Sequence, residues 1–338
     1  MIELLMQYGL FLAKAITIVI AIGFIAVIIV GSARRERSGE RLDITNLNRK
    51  YEGMTRILRA ESLSKKALKE WGKSETARKK KERKADTGND KRVFVLDFDG
   101  DIKATAVSAL REEITAILSF IRPEDEVVVR LENAGGLVHE HGFAASQLMR
   151  IRQKGIPLTI IVDKVAASGG YMMACVANRI IAAPFAVVGS IGVIAQLPNF
   201  HRLLDKHGID FEQIKAGDFK RTVTFFGKNT DKDREKMKEE IEDTHALFKE
   251  FVVENRPGLD VARISTGEHW YGTRALELNL VDELMTSDDY LLAASEKSDL
   301  YEVRYSAKKT VGERIAAAMQ ESAERLFSAG WRSFFHRF

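Results

Sequence analysis

The chain has 338 residues, 45% of them hydrophobic and 30% charged, enough for one large or two small globular domains with a sizeable core. Its net charge is only +4, so charge gives no ground for a nucleic-acid partner. A single cysteine, Cys175, excludes an intrachain disulfide framework and reads as a small buried residue in MMACVA.

The first element is apolar. Residues 15–33 (AITIVIAIGFIAVIIVGSA) carry no charge, and with the preceding GLFLAK they reach the length of a bilayer crossing, about 20 residues. Lys14 can snorkel to the interface. A cleaved signal peptide has a shorter apolar region, about 7–15 residues, with its basic residues in front. Here the basic residues follow, in ARRERSGER, so residues 1–33 read as a retained single-pass anchor.

Residues 34–92 read as a charged helical tether. Leu47, Tyr51, Met54 and Leu58 share one helical face, which suits either a short coiled coil or packing on the body. Residues 73–92 hold nine basic residues against four acidic, the pattern of a solvated linker or of a segment lying at anionic headgroups.

The composition changes at Val93. VFVLDF, EVVVRLE and LTIIVD predict buried strands; VSALREEITAILSFI and HGFAASQLMRIRQKG predict helices, the second ending at Gly155. Strands alternating with helices of this length give a right-handed βαβ series, and continuous apolar strands imply a mostly parallel sheet covered on both faces. AAPFAVVGSIGVIAQL is uncharged but short, and Pro184, Gly189 and Gly192 make it buried strand and turn. A long charged helix follows near DKDREKMKEEIEDTHALFKEFVVENR. The α/β domain spans 93–300. The tail, 301–338, is amphipathic and rich in Phe and Arg, suited to its own core, a neighbouring copy or a membrane interface.

Three segments carry candidate chemistry. Ser168, in DKVAASGGYMMACVANR, opens a predicted helix directly after a strand, where unpaired N–H groups favour an alkoxide and an oxyanion. The bland alternative is an N-cap serine. Its flanks, Ala166 and Gly170, are not those of a G-x-S-x-G elbow. In LENAGGLVHEHG, Gly135 and Gly136 follow a strand's carboxyl end, where open α/β sheets bind ligands. Adjacent glycines expose amides suited to an oxyanion hole, or simply make a tight turn. In IKAGDFKRTVT, Lys220 is a surface charge unless burial renders it neutral and able to act as a base. His139 and His141 lack zinc-helix spacing, and His201, His207, His245, His269 and His336 show no triad signature, so no metal is assigned.

Taken in order, NAGG, AASGGYMMA, VGSIGV and AGDFK resemble the signal peptide peptidase A family of serine–lysine proteases. With its anchor and tether, the chain looks like that family's short type, and GEHWYGTRALELNLVDEL extends the likeness. The resemblance implies a Clp protease/crotonase-like fold and no cofactor. It implies Ser168 as nucleophile, Lys220 as general base, Ser190 as the residue that orients the lysine, and the amides of Gly135, Gly136 and Gly169 as the oxyanion hole. It also implies peptide or protein substrates, such as signal peptide remnants at the membrane. The family's long form carries two copies of the domain and this chain one, so a ring-like homo-oligomer is expected. The chain departs at two places. Asn133 and Ala134 stand where the family usually has Ser-Pro, and Asn279 replaces a glycine at a helix end, where asparagine is the next-best left-handed residue.

Two other functions fit parts of this pattern: a crotonase-like acyl-CoA enzyme, which needs neither Ser168 nor Lys220, and a non-catalytic membrane scaffold. Arg34, Arg35, Arg37 and Arg41 put the body in the cytoplasm by the positive-inside rule, whereas the resemblance implies the outer face of a bacterial inner membrane.

Overall fold

The structure is a computed structural model that describes residues 41–85 and 91–306, together with Lys14. The expected anchor and most of the C-terminal tail lie outside the described residues. Among the described residues no helix is long and apolar enough to cross a membrane. The compact body runs from Ile44 to Arg304.

Strand β1 (Arg41–Asn46) leads into helices α1 (Leu47–Ser62) and α2 (Lys65–Ala85). The domain proper starts with β2 (Arg92–Gly100), α3 (Val107–Phe120), β3 (Glu126–Asn133), α4 (Val138–Gln153) and β4 (Leu158–Val162). Three short elements follow: β5 (Val165–Ala167), α5 (Gly169–Ala174) and β6 (Arg179–Ala182). After β7 (Val187–Gly189) the chain runs irregularly to α7 (Asp231–Asn255), broken only by α6 (His201–Lys206). It closes with α8 (Val261–Ile264), β8 (His269–Tyr271), α9 (Gly272–Glu277), β9 (Glu283–Leu284), α10 (Ser287–Ala294) and β10 (Asp299–Ser306).

The main sheet has the order β10-β2-β3-β4-β6-β9, every neighbour parallel. The strands alternate between two cores, as a pleat with period two requires. Phe94, Leu96 and Phe98 join the larger cluster with α3, α4 and α5, while Val93 and Val95 face Leu47 and Leu291 on the other side. Both faces are therefore covered, which accounts for the unbroken apolar runs in the sequence. Strand β10 continues to Ser306, past residue 300, where the sequence reading ended the domain.

The N-terminal helix α1 packs on the body. Leu47 is buried and Tyr51 lies against the second core. The Asn48 amide donates to the carbonyls of Ser295 and Ser298, and its oxygen accepts from Leu300 N–H. Of the two roles open to this helix, docking is the observed one; Met54 and Leu58 remain exposed.

The sheet forks at the end of β3. Asn133 pairs in register with Ala166, so β5 runs beside the tip of β3 and not in line with β4. Strand β7 then lies parallel to β5, and β8 antiparallel to β7. This side branch carries the predicted nucleophile.

Candidate active site

Ser168 follows β5 directly and precedes the first residue of α5. Its backbone sits at φ 53, ψ −118, a region that side-chain-bearing residues rarely occupy. The surroundings hold it there. Ser168 N–H donates to Gly189 O at 2.7 Å, and Ser168 O accepts from Met172 N–H at 3.0 Å. Tyr171, wholly buried, pins α5 by donating to Leu280 O at 2.9 Å. The Ser168 hydroxyl makes no capping bond to the helix it precedes. The bland N-cap role is therefore not how this side chain is used.

The glycine loop lies against it. A β-carbon on Gly135 would sit 2.7 Å from Ser168 Cβ and 3.0 Å from Gly169 N, and Gly135 has φ 91. Only glycine fits there. Gly136 passes close to Ile102, whose carbonyl accepts from Leu137 N–H at 2.9 Å. Gly135 N–H is already donated, at 2.7 Å, to Asn133 Oδ1. That departs from the sequence expectation of three oxyanion amides: Gly135 supplies room, not a donor. The N–H groups of Gly136 and Gly169 make no hydrogen bond to any described residue.

Ser190 is beside this group through its backbone. It follows Gly189, the acceptor of Ser168 N–H, and has φ 52. Its hydroxyl approaches Gly267 O at 3.5 Å and its N–H donates to Glu268 O. Lys220 makes no side-chain bond to this group. Its side chain is exposed and bonds neither Ser168 nor Ser190 nor any other described residue. The neighbouring Phe219 ring lies against α7, with Lys232 Nζ 5.8 Å and Lys236 Nζ 5.2 Å from its centroid. That cation–π contact holds the lysine's segment at the helix.

No histidine among the described residues makes a hydrogen bond to Ser168. His245 Nε2 lies 3.3 Å from Ile191 O, His139 is exposed beside Glu140, and His141 is wholly buried with its ring nitrogens 2.9 Å from Leu137 O and 3.1 Å from Asn133 Oδ1. No group of His, Cys, Asp or Glu among the described residues is arranged to hold a metal ion. The residue pair that the sequence reading passed over is Asn133–His141, described below. A signal was present, since His141 shares the spacing of Ala144, Ala145, Leu148 and Ile151, the buried stripe of α4.

Two stretches of the chain match known patterns in tandem. Residues 3–148 match the peptidase family S49 N-terminal region and residues 150–301 match peptidase family S49. The chain belongs to peptidase family S49. Within that family it is of the SohB type. The probable protease SohB of Haemophilus influenzae is 48% identical over 334 residues, covering 95% of this chain and 94% of that one. Its counterpart in Buchnera aphidicola subsp. Acyrthosiphon pisum is 47% identical over 318 residues, with 94% of each chain covered. Among solved structures, the 1510-N membrane-bound stomatin-specific protease, bound to a substrate peptide, aligns over 68% of this chain at 12% identity and a TM-score of 0.44. The S49 membership makes this chain a peptidase.

Proposed function

We propose that this S49 peptidase is a membrane-anchored serine endopeptidase with a Clp protease/crotonase-like fold and a Ser168–Lys220 dyad. The observation that carries the reading is the setting of Ser168: a non-capping hydroxyl on a strained turn, with two unengaged amides beside it. In this mechanism Ser168 Oγ attacks the scissile carbonyl while Lys220 Nζ accepts its proton. The amides of Gly136 and Gly169 stabilise the oxyanion of the tetrahedral intermediate. Lys220 then protonates the departing amine, and water repeats the cycle on the acyl-enzyme. Ser190 orients the lysine.

A base role requires Lys220 to leave water for the cleft. The irregular segment from Gly192 to Asn229 carries it, and this segment exposes Ile194, Phe211, Ile214, Phe225 and Phe226. We infer that a neighbouring copy in a homo-oligomer covers these residues and brings the lysine segment to the serine. The anchor at residues 1–33 keeps the site at the bilayer, where peptides such as signal peptide remnants are produced. The basic residues after the anchor favour a cytoplasmic body, and a reporter active only outside the cytoplasm, fused after residue 92, will be dark if they set the orientation.

The decisive test uses purified full-length protein. Ser168→Ala and Lys220→Arg should each lower peptide hydrolysis by about 10³-fold or more, because guanidinium keeps its proton and alanine has no nucleophile. Fluorophosphonate should label wild type and not Ser168→Ala. Cleavage that survives in Ser168→Ala would overturn the dyad.

A further inference from the structure

Asn133 and His141 are both buried beside the nucleophile, and the chemistry above uses neither. Asn133 closes β3, where its pairing with Ala166 joins the two branches of the sheet. Its Oδ1 accepts from Gly135 N–H at 2.7 Å and faces His141 Nε2 at 3.1 Å. Its amide nitrogen is turned to Met173 Sδ. The other ring nitrogen, His141 Nδ1, lies 2.9 Å from Leu137 O. The imidazole thus sits between the two ends of the loop from Asn133 to Leu137, its one N–H of the neutral ring able to donate to either of these oxygens, and the two glycines lie between those ends.

The nucleophile segment is shaped around this pair. A β-carbon on Gly169 would come within 2.4 Å of the His141 ring, and one on Gly170 within 2.1 Å of Asn133 O. Two glycines in the first turn of a helix lower its propensity by about 1 kcal/mol each relative to alanine, a loss that makes room for the polar pair. Burying an amide and an imidazole in a core costs free energy unless each is satisfied, and a satisfied buried network fixes one geometry.

We propose that Asn133 and His141 are positioning residues that set the glycine loop against Ser168, an assignment that rests on the serine peptidase reading. By taking Gly135 N–H, Asn133 leaves Gly136 N–H as the loop's free donor and fixes its direction. His141 in turn packs between the Asn133 carboxamide and the far end of the loop and donates its one N–H there. Neither residue touches the substrate. Their loss disturbs stabilisation of the transition state and leaves peptide binding intact.

The test uses full-length protein in detergent micelles, with Asn133→Ala, His141→Gln, the double variant and the acceptor-preserving Asn133→Asp. Removing an oxyanion donor outright costs about 10²–10³ in kcat. A misdirected one should cost about 10- to 100-fold in kcat, with KM within about threefold of wild type. Affinity for a peptide aldehyde, which forms an oxyanion with Ser168, should fall by the same factor, while a non-reactive peptide amide binds as before. Asn133→Asp keeps the acceptor, so its Gly135 amide should exchange near the wild-type rate. The double variant should be no worse than the poorer single one, since the two act as a unit. A structural readout accompanies these: the Gly135 amide should exchange at least about tenfold faster in Asn133→Ala than in wild type. Rates within about twofold of wild type, losses that multiply in the double variant, or unchanged Gly135 exchange would each overturn the proposal. If wild type itself cleaves no peptide and takes up no fluorophosphonate, the peptidase reading fails. Gly135 exchange then decides separately whether Asn133 holds the loop.

Discussion

Cys175 lies wholly inside the core, with its thiol donating to Met172 O. Burial pushes the thiol up to about 12, so almost no thiolate exists at neutral pH. Native protein should resist alkylation by iodoacetamide for hours at pH 8, and react stoichiometrically once unfolded; mass spectrometry reads both. Asp125 is the opposite case. Burial alone would raise its carboxyl, but the Arg92 guanidinium and the N–H groups of Arg122 and Arg92 outweigh that and hold it below its ordinary value. A depressed carboxylate contributes stability that is complete above the unfolded value, about 3.9, and is lost as pH falls through the folded one. Unfolding midpoints should therefore drop as pH falls below about 4, and Asp125→Asn should be less stable at pH 7 with a flatter acid limb. At this scale the sequence was informative where backbone conformation selects residue type. Asn279 has φ 59, the left-handed helix end expected of it. Gly135 was legible as a close approach, but not as a donor already spent, because the Asn133 side chain that takes its N–H leaves no spacing signal.

Helix α7 begins with a reciprocal cap, Thr230 accepting from Asp233 N–H and Asp233 accepting from Thr230 N–H. Thr230→Ala should destabilise the protein by about 1 kcal/mol, measured by urea unfolding, because orphan donors return at an exposed helix start. Strands β2, β3 and β4 and helices α3, α4 and α7 were legible because each is a long periodic or continuous apolar run. The fork was not. It rests on one register pair, Asn133 with Ala166, and on strands of three residues, too short to leave a period. The docking of α1 was likewise hidden, since a helical face fits a partner or the body equally well; the bonds of Asn48 decide it.

Across the body, the sheet hides its apolar residues on both faces while the stretch after β7 does not. Ile194 is 80% and Ile214 98% exposed, and Phe200, Phe211 and Phe225 ring Phe226 with centroids 5.8–6.4 Å away. Scattered exposed leucines need no explanation, but a contiguous aromatic patch marks an interface. Ile194→Lys with Ile214→Lys should convert the proposed oligomer to monomer in light scattering and lower peptide cleavage with it. A stable monomer in wild type would remove the basis for this. Lys220 illustrates the limit of motif reading. The match to AGDFK gives a position in the chain, whereas its surroundings depend on an irregular loop and on what covers it.

The backbone of Ser168 gives the molecule a ranking in which the working sequence is not the most durable one. Holding a residue with a β-carbon at φ 53, ψ −118 costs about 1–3 kcal/mol, and glycine escapes that cost. Against it stands the extra freedom glycine gives the unfolded chain, about 0.4–1 kcal/mol. Ser168→Gly should then melt above wild type, while Ser168→Ala, equally silent towards peptide, should not. Natural selection acting on thermal endurance alone would thus erase the hydroxyl. Its presence in a chain that would be hardier without it is a mark of use, and differential scanning calorimetry of the two silent variants would read that mark without any substrate in hand.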